Sequence, residues 1–310
     1  DGFVWEDQSL IDAYLANMYY SNCVAVNETP VTFDWTEENF WKGPGCGWAF
    51  INEMADEGVC LWNFHTDMVK TWKSGAISST NVPVYLDWWD NGYKLIRETN
   101  YFMECLSESD DLDESYVKQR MAEARFIRAF NYFALVKRYG GVPLITRTQK
   151  VDDPEDVLYP MRDDEQVIYD FILSECDLCA QDLPEACGDA DLGRATKYTA
   201  LSLKCRAALY AASIAEFGEV KLDGLVGIPA EDASKYYQIA YDAADEIIRE
   251  GGFELYNKNA DKTQNFKDIF LDEGNKETIW AVRHTGSTRN ASFWSYDFVQ
   301  CPKNAWGGGN

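Results

Sequence analysis

The feature that most constrains this chain is the segment 117–139, where Ala124, Phe126, Ile127, Ala129, Phe130, Tyr132, Phe133, Ala134, Leu135 and Val136 leave almost no polar face. A helix that is apolar nearly all round must be enclosed by other elements. It ends where Gly140-Gly141 permits a left-handed C-terminal residue and Pro143 prevents continuation. Apolar spacing predicts its partners. A helix over 7–20 repeats paired apolar positions after an Asp7 cap, and one over 87–106 aligns Trp89, Tyr93, Ile96, Asn100 and Met103. Three more follow: 163–182, opened by Asp163 and Gln166; 196–217; and 233–250, with Tyr237, Ala240, Ala244 and Ile247 in step. Ala200, Ala207, Ala208, Ala211, Ala212 and Ala215 suit helices that approach closely. No strict repeat is present, so the expectation is a stack of helix pairs joined by loops of unequal length.

Two long regions, 22–85 and 284–310, lack periodicity yet hold Trp35, Trp41, Trp48, Trp62, Trp72, Trp294, Tyr296 and Trp306. Long loops in compact proteins are usually functional or disordered. With 46% hydrophobic and 15% aromatic residues the composition argues against disorder.

Charge and motifs then exclude several functions. Lys plus Arg is 28 against 52 Asp plus Glu, a balance of -24, which opposes a nonspecific hold on nucleic acid or anionic lipid. No run reaches the roughly 18 apolar residues of a membrane span, and the start lacks a basic and then apolar leader. The nine Cys are scattered and odd in number, unlike a small disulfide scaffold. There is no phosphate loop, nucleophile elbow or zinc helix. With only His65 and His284, a His-based triad has little material, and both read as ordinary loop histidines. The glycines at 43, 45 and 47 follow no strand and include Pro44, so they read as a loop. Cys176 and Cys179 sit inside a helix and read as core thiols, with a disulfide involving Cys187 or a metal as alternatives. The acidic run 107–115 lacks EF-hand spacing and reads as a solvated loop. Arg125, Arg128, Lys137 and Arg138 are expected to pair with acids such as Glu123.

The run from Met121 through Arg125, Phe126, Arg128, Phe130, Asn131, Tyr132, Lys137, Arg138, Gly140, Gly141 and Pro143 to Thr146 closely resembles the signature helix and turn of the SusD/RagB family, surface glycan-binding lipoproteins of Bacteroidetes nutrient-uptake systems. Supporting matches follow in order: Trp89, Tyr93, Ile96 and Asn100 before it; Arg194 to Lys197; Tyr237 to Leu255; Phe266 to Phe270; and Glu277 to Trp280. The resemblance implies one all-α SusD-like domain over 1–310, with tetratricopeptide-like helix pairs as scaffold and irregular excursions carrying the ligand site. Family members carry a lipoprotein signal and an acylated Cys and continue beyond a Gly-Gly-Asn-type segment, so it also implies a piece of a longer protein. Its implied role is noncatalytic binding of oligo- or polysaccharide at the outer face of the outer membrane, lipid-anchored, with delivery to a SusC-like TonB-dependent transporter. No cofactor or metal is implied.

By position, the resemblance places ligand contacts among Trp62, Asn63, Asp67 and Trp72 before the Trp89 helix and Arg289, Asn290, Trp294 and Tyr296 after the Glu277 segment. Each ring has an alternative role in packing its own loop. Sugars present an apolar C–H face rimmed by hydroxyls, which suits rings flanked by Asn, Asp and Arg. Three rings burying roughly 40 Å² each give about 3 kcal/mol, and each hydrogen bond adds about 1 kcal/mol. Association costs at least about 4 kcal/mol, so binding is expected in the micromolar to millimolar range. Two other classes stay open at this stage: a glycoside hydrolase or lyase using two of the carboxylates, and a tetratricopeptide-like adaptor whose aromatic loops face a protein.

Overall fold

The computed structural model describes residues 2–21, 75, 78, 87–109 and 111–281. They form α1 (Gln8–Ser21), α2 (Trp89–Ser107), α3 (Glu114–Tyr139), α4 (Glu155–Leu158), α5 (Glu165–Asp182), α6 (Lys197–Phe217), α7 (Ala233–Glu250) and α8 (Lys262–Asp268). Short 3-10 pieces lie at Gly2–Glu6, Asp189–Asp191, Leu222–Gly224 and Ala230–Asp232. Among the described residues there is no strand, and β pairing is limited to an isolated bridge between Lys221 and Val226. The all-α expectation holds.

The helix apolar all round is the centre of the core. Phe126, Ile127, Tyr132, Phe133, Leu135 and Val136 of α3 are all buried, and each large apolar side chain so enclosed is worth roughly 1.5–3 kcal/mol. α3 begins at Glu114, earlier than the apolar pattern, because Asp113 Oδ1 accepts from the Ser115 and Tyr116 amides at 2.8 and 3.2 Å. It ends at Gly140, whose φ of +68° favours glycine. A Cβ there would lie 2.4 Å from the Leu225 carbonyl, the same oxygen that accepts from the Gly141 amide at 2.7 Å.

Neighbouring long helices pack as pairs: α2 on α3, α3 on α5, α5 on α6 and α6 on α7. All six alanines of the α6 stripe are buried, which lets its neighbours approach. α1 is capped as expected, Asp7 Oδ1 accepting from the Ser9 and Leu10 amides at 2.8 and 3.3 Å. Two expectations are corrected. Asp163 and Gln166 do not form a cap for α5: Asp163 Oδ2 accepts from the Leu144 amide at 2.8 Å, and Gln166 Nε2 donates to Asp232 Oδ2 at 2.8 Å. On α7 the enclosed stripe is Tyr236, Ala240, Ala243 and Ile247. Tyr236 goes inside because its hydroxyl can donate to Asp170 Oδ1 at 2.8 Å, whereas Tyr237 reaches outward to Glu216.

The chain divides into two compact units, residues 1–30 with 88–281, and 31–87 with 282–310. Every helix above belongs to the first.

Candidate ligand site and its mounting

The candidate ligand residues Trp62, Asn63, Asp67, Trp72, Arg289, Asn290, Trp294 and Tyr296 lie outside the described residues. What the structure does describe is how the helical unit holds the points where those segments leave it and return. The first segment leaves after α1. Near that end, Tyr19 donates to Glu123 Oε2 on α3 at 2.9 Å and accepts from the Ala195 amide at 2.9 Å. Burial and the Glu123 carboxylate push the Tyr19 hydroxyl up, so it stays protonated and donating.

The return point is held twice over. Trp88 is 1% exposed, and its indole Nε1 donates to Asn131 Oδ1 at 3.2 Å. The first amides of α2 have no cap from their own side chains. Instead, the Tyr139 hydroxyl on α3 accepts from the Trp88 and Trp89 amides at 2.8 and 3.1 Å, satisfying donors that every helix start leaves open. The Trp89 ring meets the Tyr139 ring edge-on at 5.2 Å and 85°, and lies tilted against Tyr93 at 5.1 Å. Tyr93 in turn donates to the Pro143 carbonyl at 2.8 Å, which joins α2 to the turn after α3.

The second segment leaves after Trp280. That indole donates from Nε1 to the Gly193 carbonyl at 2.8 Å, and its ring stands edge-on to Phe126 at 5.4 Å and to Phe130 at 6.2 Å. Phe126 and Phe130 are one helical turn apart on α3. Thus Tyr19, Trp88 and Trp280, next to three chain crossings, all bear on the same helix.

The charges on α3 brace it against its neighbours. Arg128 donates from Nε and from an Nη to Glu175 Oε2 at 3.1 and 2.6 Å, and from its other Nη to Asn100 Oδ1 at 2.7 Å. Arg125 holds the other Glu175 oxygen at 2.9 Å. The expected acid partner, Glu123, is taken by Arg120 at 2.6 Å and Arg194 at 3.2 Å. The correction follows from helix geometry: Glu123 shares the face of Arg120, three residues before it, while Arg125 and Arg128 face α5. Burial pushes the Glu123 carboxyl up, against the pull of Arg194 and Arg120. Lys137 lies 4.5 Å from the Phe133 ring centroid and Arg138 donates to the Ala134 carbonyl at 2.9 Å.

Cys176 and Cys179 are buried free thiols that burial pushes up, away from the reactive thiolate. Cys187 is also free. The described residues contain no group of three or more His, Cys, Asp or Glu able to hold a metal, and no described helix is long and apolar enough to cross a membrane.

Sequence reasoning overlooked Tyr139, Asn131 and Glu175. Asn131 carries a usable signal, an amide alone in an apolar run. Tyr139 carries none, because a helix-end tyrosine shows no sign of serving another helix.

A family model described as starch-binding and associating with the outer membrane matches residues 3–209. A SusD-like protein of Formosa agariphila is 27% identical over 120 residues, 39% of this chain and 22% of that protein. A SusD-like crystal structure from Bacteroides fragilis aligns with a TM-score of 0.64 at 22% identity, covering 93% of this chain and 47% of that one. A laminarin-binding SusD-like protein aligns with a TM-score of 0.60 at 18% identity, covering 91% of this chain and 52% of that one. The chain therefore spans about half the length of these solved structures. With the model matching well over half its residues, the chain belongs to the SusD-like family.

Proposed function

We propose that this chain captures oligo- or polysaccharide without turning it over, at the extracellular face of the outer membrane, and passes it to a TonB-dependent transporter of the SusC type. The observation that carries the reading is the match of residues 3–209 to a family described as starch-binding and associating with the outer membrane. The laminarin binding of a structural neighbour supports a glycan as cargo. The whole span 1–310 acts as one SusD-like domain, and Trp62, Asn63, Asp67, Trp72, Arg289, Asn290, Trp294 and Tyr296 supply the ligand contacts. Rings cover the apolar sugar face while the amides, Asp67 and Arg289 bond the hydroxyl rim. An N-terminal lipid holds the intact protein at the membrane; because one acyl chain binds only marginally, contact with the transporter supplies the second hold. Neither metal nor cofactor takes part.

Isothermal titration calorimetry against plant, host and microbial oligosaccharides tests this. The expected result is saturable heat with micromolar to millimolar affinity, weakened about five- to tenfold in Trp62→Ala or Trp294→Ala, the effect of about 40–60 Å² of ring no longer buried. Continuous heat flow would mean hydrolysis and would sink the noncatalytic reading. Silence across the panel from a folded protein would point to another cargo.

A further inference from the structure

Two of the three places where the chain leaves or re-enters the helical unit share one anchor, residues 193–195 in the connection from α5 to α6. The Gly193 carbonyl accepts from the Trp280 indole at 2.8 Å, and Trp280 stands just before the last crossing at 281/282. Two residues on, the Ala195 amide donates to the Tyr19 hydroxyl at 2.9 Å. Tyr19 lies in the last turn of α1, on the near side of the first crossing. Between these two contacts, Arg194 donates to Glu123 Oε2 at 3.2 Å, the same oxygen to which Tyr19 donates at 2.9 Å. Arg194 also pairs with Asp191 at 2.9 Å and with Asp12 at 3.5 Å. The crossing at 87/88 is held elsewhere, by Asn131 and Tyr139 of α3 on Trp88.

A three-residue segment spans at most about 10 Å even when fully extended, so its two outer contacts cannot shift independently. Gly193 has a φ of +96°, a setting that glycine takes without strain, and Arg194 pins the middle of the segment to a carboxylate with no exposure. Ala195 is 1% exposed, so an amide pulled away from Tyr19 has no ready water to replace the lost acceptor, and a buried polar group left unpaired is costly. Moving Trp280 displaces the Gly193 carbonyl and with it the Ala195 amide; moving Tyr19 does the reverse. We propose that 193–195 is a latch, a conformational device that binds the first and last crossings into one cooperative opening unit, so that a change in the chain at either is felt at the other. The middle crossing, at Trp88, opens on its own. This goes beyond the glycan-capture reading and does not depend on it.

Hydrogen exchange in the whole chain, followed by NMR at the Trp280 and Trp88 indole N–H groups and the Ala195 amide, tests the latch. Tyr19→Phe keeps the ring and removes the oxygen that joins Ala195 to Glu123; exchange at the Trp280 indole, which Tyr19 does not touch, is expected to rise about fivefold, the equivalent of one lost hydrogen bond. Trp280→Phe keeps a ring against Phe126 and Phe130 and removes the donor to Gly193; exchange at the Ala195 amide is expected to rise by about the same factor. Arg194→Lys, which keeps a cation beside Glu123 but loses the planar fork, should speed both sites together and serves if either aromatic variant fails to fold. In every variant exchange at the Trp88 indole should change less than about twofold, as an independent opening requires. An unchanged Trp280 indole in Tyr19→Phe, or an unchanged Ala195 amide in Trp280→Phe, would show the two crossings to be uncoupled and overturn the latch. Equal acceleration at Trp88 would mean that all three crossings open only with the whole core, and would overturn it too.

Discussion

Single side chains decide how firmly the core is tied, and three substitutions measure it. Tyr139→Phe keeps the ring against Trp89 but removes the oxygen that accepts from the Trp88 and Trp89 amides. It should cost about 1–3 kcal/mol in urea unfolding and speed amide exchange selectively at the start of α2. Glu175→Gln leaves Arg125 and Arg128 facing a neutral amide; removing one partner from a buried pair costs about 3–5 kcal/mol, readable as a lower urea midpoint. Glu165 supplies a pH signature. It is buried, its carboxylate accepts from the Gly227 amide at 2.6 Å, and burial pushes its carboxyl up. A carboxyl raised in the folded state holds its proton longer there than in the unfolded chain. It therefore detracts from stability above the ordinary carboxylate range, and the penalty fades as pH falls through the raised value toward the ordinary one. Glu165→Gln, which still offers Gly227 an acceptor, should accordingly match or exceed the parent's stability at pH 7 and lose that relative advantage below about pH 4, where the parent carboxyl is protonated. Unfolding of the two proteins side by side across pH checks the trend. Little of this was legible beforehand, since Glu175 and Glu165 look like any of 52 acids until a fold buries them.

At the scale of elements the sequence is far more readable, for helices announce themselves in local spacing. The expected 233–250 is α7 as found, and 87–106, 163–182 and 196–217 fall within two residues of α2, α5 and α6. The departures have physical causes outside the apolar period. Asp113 starts α3 early by capping it, and Tyr236 displaces Tyr237 because a buried hydroxyl needs the Asp170 acceptor. The end of α3 is set by shape as much as by conformation. A Cβ on Gly141 would stand 2.0 Å from the Asp163 carbonyl, so Gly141→Ala must push α5's approach segment away. A loss of about 1–3 kcal/mol is expected, the usual range for imposed steric strain, with thermal unfolding as the readout. Short α8 and α4 carried no period long enough to read, which is why neither was anticipated.

For the whole molecule, the dominant unpaired quantity is charge. A chain at -24 repels itself when folded, and salt shortens the reach of that repulsion. Raising salt from about 20 to about 500 mM should lift the thermal midpoint by a few degrees, on the order of 1 kcal/mol for a chain this size; differential scanning calorimetry decides it. The candidate ligand residues stand out only by their place in two aperiodic, aromatic-rich segments and by family position, because recognition of a sugar needs rings and amides at no fixed spacing. Periodicity therefore has nothing to say about them, however plainly it writes the scaffold.

Tyr19, Trp88 and Trp280 bring the chain crossings of both segments onto α3, at Glu123, at Asn131 and Tyr139, and at Phe126 and Phe130. If the proposed ligand residues carry recognition, a chimera that grafts 22–86 and 282–310 from a relative onto this helical unit should take on the donor's sugar preference, read by calorimetry, while keeping the host's thermal midpoint.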